Sequence, residues 1–279
     1  MLKNTFLHVP GIGTISEQKL WSYGIHSWES LLQADSVRFP RRKTQYVRGY
    51  IEESKRQLEG DNPNYFATLL PSPQSWRLFH EFRGSVAYVD IETTGLGVPA
   101  DHITTIALYD GKSIFHYVYG DNLDQFKEDI GKYGVVVTYN GKCFDVPFIE
   151  RYMKIEMEHA HIDLRYLLKS LGYRGGLKGC EKMLGLDRGD LDGIDGYFAV
   201  LLWEDFARRG NGRALETLLA YNTLDAVNLE TLMVVAYNSK LKDTPFSQTH
   251  RLPEPSTPPI PFSADMETIR RIKRDRFGI

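Results

Sequence analysis

Two acidic residues, Asp90 and Glu92, stand at the end of a predicted buried strand. Residues 86–91 are rich in β-forming side chains, and the turn residues that follow end the strand. Because side chains alternate along a strand, the two carboxylates point to the same side, within reach of one shared ion. Carboxylates held together repel unless a cation lies between them, and hard divalent cations prefer oxygen ligands. An isolated pair is also typical of a solvated strand end, so the interpretation depends on further carboxylates.

A third carboxylate, Asp145, follows the strand predicted at residues 135–139. That strand is almost entirely apolar, which is typical of a strand buried on both faces after a helical crossover. The carboxyl ends of strands in an open α/β sheet border the ligand crevice, so Asp145 would reach the same neighbourhood as Asp90. The alternative role for Asp145 is an N-cap, because Pro147 indicates that a helix begins there.

A fourth carboxylate, Asp225, lies near the middle of a helix predicted over residues 214–238. Asp225 falls in the apolar stripe of that helix, which should face the core. A buried carboxylate is costly unless it is paired or binds a metal. Tyr221, one turn earlier, places a phenol beside it.

A second set of metal-ligating residue types, His159, His161 and Asp163, alternates onto one face of a predicted short strand. Such a set could bind a transition metal. We favour the structural interpretation, in which the histidines lie on an edge strand and Asp163 caps the following helix.

The order of predicted elements indicates a mixed α/β sheet. Strands are predicted at residues 86–91, 102–109, 113–119, 135–139 and 159–163. The first three should form an antiparallel meander, because Asp110-Gly111 is a strong hairpin signal. A helix over residues 123–132 lets the fourth strand lie parallel to its neighbour. This is the order of the ribonuclease H-like fold, here with flanking helices and a small N-terminal helical region.

Three motifs carry a family resemblance. They are Asp90-Ile91-Glu92-Thr93-Thr94-Gly95-Leu96, the segment from Tyr139 to Phe148 with its Phe144-Asp145 pair, and Tyr221-Asn222-Thr223-Leu224-Asp225. Together they resemble the three exonuclease motifs of the DnaQ-like, or DEDD, 3′-to-5′ exonuclease superfamily in its tyrosine subclass. The residues within these motifs are most similar to those of the YprB-type ribonuclease H-like branch. The resemblance extends over roughly residues 76–238.

The resemblance implies a role for each motif residue. Asp90, Glu92 and Asp225 would hold one divalent ion, with Asp90 bridging to a second ion at Asp145, and Tyr221 would orient or help deprotonate the attacking water. Two ions about 3.5–4 Å apart can stabilise both the attacking and the leaving oxygen at phosphorus. All-oxygen ligands suit Mg²⁺ or Mn²⁺. Further contacts to the terminal nucleotide would come from Thr93, Leu96 and Asn140.

The N-terminal region could bind nucleic acid through its backbone. Gly11 and Gly13 flank a turn that precedes a helix. Backbone N–H groups at the start of a helix can bind a phosphate. The turn and helix resemble part of a helix-hairpin-helix module, although a helical pair that caps the main domain is the alternative. A basic helix follows at about residues 41–59, with Arg41, Arg42 and Lys43 as phosphate contacts or as a solvated face.

Composition is that of an ordinary globular protein. The chain has 279 residues, 42% hydrophobic residues and a formal net charge of -2, which predicts no particular partner. Two cysteines provide no disulfide framework. Because no signal peptide and no run of about 18 apolar residues is evident, we expect a cytoplasmic protein without a membrane span.

We expect five segments along the chain. They are a helical, helix-hairpin-helix-like region at residues 1–60, a connector with a short helix at 61–84, the ribonuclease H-like domain at 85–240, a proline-rich linker at 241–262 and a basic helix at 263–279 capped by Ser263. The predicted activity is metal-dependent removal of nucleotides from DNA or RNA 3′ ends. The alternatives are a non-catalytic nucleic-acid-binding protein and a structure-specific endonuclease.

Overall fold

A five-stranded mixed sheet forms the centre of the molecule. The computed structural model describes residues 1–34, 41–97 and 100–278, and for residues 41–43 it describes the backbone alone. The strands are β1 (Val86–Thr93), β2 (Ile103–Tyr109), β3 (Ile114–Val118), β4 (Val135–Thr138) and β5 (Ala160–Asp163). Their spatial order is β3-β2-β1-β4-β5.

Strand directions follow from the connections. The hairpins make β1–β2 and β2–β3 antiparallel, whereas the crossovers make β1–β4 and β4–β5 parallel. Gly111 in the β2–β3 turn has φ +87°, a conformation that other residues rarely adopt. The predicted ribonuclease H-like arrangement of antiparallel and parallel strands, flanked by helices, is therefore confirmed.

Helices pack on both faces of the sheet and also form much of the N-terminal and C-terminal segments. The α-helices are α1 (Thr14–Ser22), α2 (Trp28–Gln33), α3 (Arg41–Glu59), α4 (Pro63–Leu69), α5 (Phe79–Phe82), α6 (Phe126–Ile130), α7 (Asp145–Met153), α8 (Leu164–Ser170), α9 (Gly176–Leu184), α10 (Gly196–Arg209), α11 (Gly212–Leu241) and α12 (Met266–Phe277). Short 3-10 turns lie at Leu2–Asn4, Ser72–Leu78, Arg83–Ser85, Leu123–Gln125 and Gly189–Leu191.

Side chains of β1 alternate between the two faces of the sheet. Tyr88 packs in one core cluster with Leu232 of α11, which crosses β1 and β2. Val89 packs on the opposite face, in a cluster with Phe148 of α7. Asp90 and Glu92 continue the α11 side of the strand, because side chains two apart share a face.

The N-terminal segments share a core with the sheet. Trp28 and Phe66 stack at 6.0 Å in the cluster that also contains strand residues of β1 and β4. A buried ion pair joins Arg77 Nη2 and Glu17 Oε2 at 3.0 Å. In place of a first helix, the hairpin-like turn is preceded by a 3-10 turn at Leu2–Asn4.

Three local details differ from expectation. Asp145 is the first residue of α7 and Phe144 is its N-cap, so the N-cap role considered for Asp145 is wrong. Asp265, not Ser263, caps the last helix, and its side chain accepts a hydrogen bond from Thr268 N at 2.7 Å. Residues 61–84 contain an additional helix, α4, which Asn62 caps.

None of the helices that the structure describes is long and apolar enough to cross a membrane.

Candidate active site

Three carboxylates meet where β1 ends beside the middle of α11. One oxygen each from Asp90, Glu92 and Asp225 can be chosen so that all three lie within 4.8 Å of one another. Strand alternation brings Asp90 and Glu92 to the same side, and α11 crosses that side with Asp225 facing the sheet. The structure thus brings together the residues expected to hold one ion.

Asn222 fixes Asp90 against α11. Its Nδ2 donates to Asp90 Oδ2 at 2.7 Å and to the Asp90 carbonyl at 3.1 Å. Its Oδ1 accepts from the Thr105 hydroxyl of β2 at 2.9 Å. This fully buried amide therefore links β1, β2 and α11 at the cluster.

Electrostatics at the cluster are unfavourable without a cation. Burial, followed by the charge of Asp225, raises the pKa of Asp90 well above its usual value. Burial, followed by the charge of Asp90, does the same for the pKa of Glu92. An all-oxygen set of buried, mutually repelling carboxylates fits a hard divalent cation, which would stabilise their ionised forms.

Two protein cations already contact Asp225. Lys178 Nζ donates to Asp225 Oδ1, and Arg188 Nη2 lies 2.8 Å from the same oxygen. Arg188 Nη1 also donates to both oxygens of the fully buried Glu181, at 2.9 and 2.8 Å. Lys178, Glu181 and Arg188 lie outside the three sequence motifs. No local spacing identifies the two cations, because they lie 47 and 37 positions before Asp225 (225 − 178 and 225 − 188).

Asp145 and Tyr221 line the same cleft. Asp145 is 5% exposed, and burial raises its pKa to about 7, although the backbone N–H groups of Asp145 and Ile91 favour its ionised form. It is not a member of the compact group of three carboxylates. Tyr221 is 2% exposed, and burial, followed by the charge of Asp225, raises the pKa of its phenol.

The cleft has a volume of about 430 Å³ and is open to solvent. All five residues expected to act in catalysis line it. The full lining is Asp90, Ile91, Glu92, Tyr139, Asn140, Phe144, Asp145, Arg165, Gly176, Leu177, Lys178, Gly196, Tyr221 and Asp225. Positive side chains on the walls would attract the phosphates of a substrate.

The three residues expected to contact the terminal nucleotide do not all line the cleft. Asn140 lines the cleft with φ +67°, and its side-chain oxygen accepts from Arg165. Thr93 does not line the cleft, and its hydroxyl donates to the Gly95 carbonyl at 2.6 Å. Leu96 is 94% exposed outside the cleft wall. Of the three, the structure brings Asn140 alone into the cleft.

The histidines near β5 have structural contacts. His161 Nε2 lies 2.8 Å from the Thr138 hydroxyl, and His159 Nε2 lies 3.0 Å from the Ile130 carbonyl. Asp163 caps α8 and accepts from Asn140 N at 2.8 Å. Asp163 therefore caps α8 as predicted, and it also holds the loop after β4.

The N-terminal candidates lie apart from the cleft. Gly13 is the N-cap of α1, and Gly11 adopts φ +82° in the turn before it. Neither lines the cleft wall. The side chains of Arg41, Arg42 and Lys43 lie outside the described residues. Phosphate binding by these five residues stays a prediction.

Comparison with known proteins gives a family. The family model of the RNase H superfamily matches residues 87–237, which is more than half of the chain. A solved structure, the family B DNA polymerase from the hyperthermophilic archaeon Pyrobaculum calidifontis, is similar with a TM-score of 0.41 and 18% identity. That match covers 56% of this chain and 24% of the polymerase chain. The search of curated proteins found no match. The match of the family model shows that the chain belongs to the RNase H superfamily.

Proposed function

We propose that this protein is a metal-dependent nuclease that removes nucleotides from the 3′ ends of DNA or RNA. The observation that carries the proposal is the group of Asp90, Glu92 and Asp225, whose oxygens approach within 4.8 Å in an open cleft. Membership of the RNase H superfamily supports nucleic acid as the substrate. The order of the three motifs along the chain supports the 3′-to-5′ assignment.

Asp90, Glu92 and Asp225 would hold a Mg²⁺ or Mn²⁺ ion, and Asp145, which lines the same cleft, would hold a second. When bound, these cations would supply Lewis acidity at the phosphoryl oxygens and a water that is easier to deprotonate. The protein contributes a fixed, mostly buried set of oxygens. Asn222 keeps one carboxylate oxygen of Asp90 in place through its 2.7 Å hydrogen bond.

Tyr221 would position the attacking water. Its phenol is buried, and the nearby carboxylates raise its pKa further, so it stays protonated at neutral pH. A protonated phenol donates a hydrogen bond and orients a water, whereas a phenolate would be needed to take the proton. We therefore favour orientation over deprotonation for Tyr221.

A second candidate function is nucleic-acid binding without cleavage. The contact between Lys178 and Asp225 favours it, because an ammonium can neutralise a carboxylate where a cation would otherwise be needed. Arg188 adds a second positive charge at the same oxygen. In this case the cleft would bind phosphates through its cations and would not hydrolyse them.

The direction of cleavage is tested with 5′-labelled single strands that have either a free or a chemically blocked 3′ end. The proposal predicts a ladder that shortens from the 3′ end, in Mg²⁺ or Mn²⁺, with the free strand alone. Equal cleavage of the blocked strand would indicate an endonuclease. Binding of both strands without products in either metal would favour the second candidate.

A further inference from the structure

We propose that an exposed surface beside the cleft, formed by Tyr197, Lys273, Arg276 and Phe277, binds the single-stranded part of the substrate before it enters the cleft. We call this surface the aromatic platform. The inference rests on the proposed function, and it extends that function by naming single-stranded nucleic acid as the substrate class and α12 as part of the binding surface.

Two aromatic rings dominate the platform. Tyr197 is 51% exposed and Phe277 is 47% exposed, although side chains of this size normally bury their rings. Their ring centres lie 6.3 Å apart at an interplanar angle of 69°. Exposed rings at this separation can each stack on a base of a flexible strand, and stacking of this kind tolerates any base.

Positive charge accompanies the rings. Arg276 Nε and Nη2 each lie 3.4 Å from the Tyr197 hydroxyl, and Lys273 Nζ lies 5.8 Å from the centre of the Phe198 ring. Within residues 1–34, 41–97 and 100–278, no carboxylate forms an ion pair with Arg276 or Lys273. Both cations are therefore available for backbone phosphates.

Arg271, on the same helix, forms an ion pair. Arg271 Nη1 donates to Asp205 Oδ1 at 3.0 Å, and this ion pair attaches α12 to α10. Ile269 and Ile272 bury the inner face of α12 in the core beside α10 and α11. The helix is thus held in place by one face, while Arg276 lies beside Tyr197 and Lys273 lies beside Phe198.

The platform begins one residue after the cleft wall. Gly196 forms part of the cleft wall together with Asp90 and Asp225. Tyr197 is the next residue, and adjacent Cα atoms are about 3.8 Å apart. In this proposal, a strand whose 3′ end reaches the carboxylates passes over Tyr197.

The combination of rings and unpaired cations favours a single strand over other occupants. In a duplex the base faces are stacked inside the helix and are not available to Tyr197 or Phe277. An acidic peptide would match the charges but would leave the rings without stacking partners. Base stacking plus phosphate contacts uses both features of the surface.

The test measures how activity and binding depend on strand length in the double variant Tyr197→Ala/Phe277→Ala. For a single strand of about twelve nucleotides, we expect affinity measured in EDTA to fall about tenfold or more, since each stacked base contributes at least about fivefold and the variant removes two rings. A dinucleotide is too short to reach the platform, so its turnover should be unchanged. Deoxyribose and ribose strands are tested in parallel, because both present the same base faces and phosphates.

Conservative and control variants separate stacking from general damage. Tyr197→Phe keeps the ring and should retain most of the affinity, whereas Arg276→Gln should weaken binding and reduce its salt dependence. Lys112→Gln is the control, because Lys112 is exposed in the turn after β2, beside the start of β1 and away from the carboxylates at its end. It should bind like the wild type.

The outcomes distinguish the platform from the proposed function. Wild-type affinity for the long strand in the double variant, or an equal loss with duplex, would overturn the platform and leave the nuclease assignment untouched. Binding of single strands that depends on Tyr197 and Phe277, without any cleavage, would support the platform and count against the nuclease. If acidic peptides bind the platform and single strands do not, the inference is wrong.

Discussion

Asn222 donates a hydrogen bond from Nδ2 to Asp90 Oδ2 at 2.7 Å, and this contact joins the longest helix to the end of the central strand. The same Nδ2 also donates to the Asp90 carbonyl at 3.1 Å, so Asn222 binds both the side chain and the backbone of Asp90. One oxygen of the same carboxylate lies within 4.8 Å of oxygens of Glu92 and Asp225. We interpret Asn222 as the residue that orients Asp90 toward the metal position.

Replacing Asn222 with Leu should weaken metal binding by about 10- to 100-fold, because partners that orient a ligand have effects of that size. The change also leaves the Thr105 hydroxyl without its partner, so the free energy of unfolding should fall by about 1–3 kcal/mol. Titration calorimetry with Mn²⁺ and urea unfolding measure the two effects. Asn238→Leu is the control, because it removes two hydrogen bonds with Leu252 from the same helix and should leave Mn²⁺ affinity unchanged.

Lys178→Met should tighten Mn²⁺ binding. The ammonium contacts Asp225, one of the carboxylates that would hold the cation, so removing the lysine removes a competitor. A hydrogen bond to a charged group contributes about 1.5–3 kcal/mol, and solvent screening of the partly exposed lysine favours the low end, so the dissociation constant should fall about tenfold. Lys182→Met, on the same helix, is the control and should have no effect. Weaker binding in Lys178→Met would mean that the lysine supports the metal site.

Arg188→Met should lower the free energy of unfolding by about 3 kcal/mol, because it leaves the buried carboxylate of Glu181 without its main partner. The comparison is Arg213→Met, which removes exposed ion pairs of 3.5 and 3.8 Å and should cost about 0.5 kcal/mol or less. Urea unfolding of the two metal-free variants checks the difference. Equal stability of both would show that the buried network contributes little.

His8 should make folding sensitive to acid. Burial lowers its pKa from 6.5 to about 3, and neither ring nitrogen has a hydrogen-bond partner among the described residues. Below pH 6.5 the unfolded chain gains a proton that the folded His8 does not, so stability is lost as pH falls toward 3. Between about pH 7 and pH 5 the wild type should lose about 2 kcal/mol more than His8→Leu. Identical losses in urea unfolding would contradict this assignment.

The parts of the site that depend on regular periodicity can be predicted from the sequence. Strand alternation brings Asp90 and Glu92 to one side, and helical spacing directs Asp225 toward the core, as the structure confirms. The mixed sheet follows from the hairpin signal at Asp110-Gly111 and from the helical crossover before β4. These features require only local rules.

Features that depend on tertiary contacts were not predicted. Lys178 and Arg188 reach Asp225 from α9 and the loop after it, and no spacing rule relates those positions. Asp145 resembles an N-cap in sequence, but the chain turns one residue earlier, at Phe144. Ser263 and Asp265 both have side chains suited to capping, and the choice depends on where α12 packs.

The central claim is that the three carboxylates hold a cation for phosphodiester hydrolysis. The most direct test incubates 5′-labelled single-stranded DNA and its RNA counterpart with Mg²⁺ or Mn²⁺, using the wild type, Asp225→Asn and the exposed control Asp243→Asn. The account predicts metal-dependent shortening from the 3′ end by the wild type and the control, and no product with Asp225→Asn. Wild-type turnover by Asp225→Asn would contradict the site, and binding without cleavage by all three proteins would contradict the nuclease assignment.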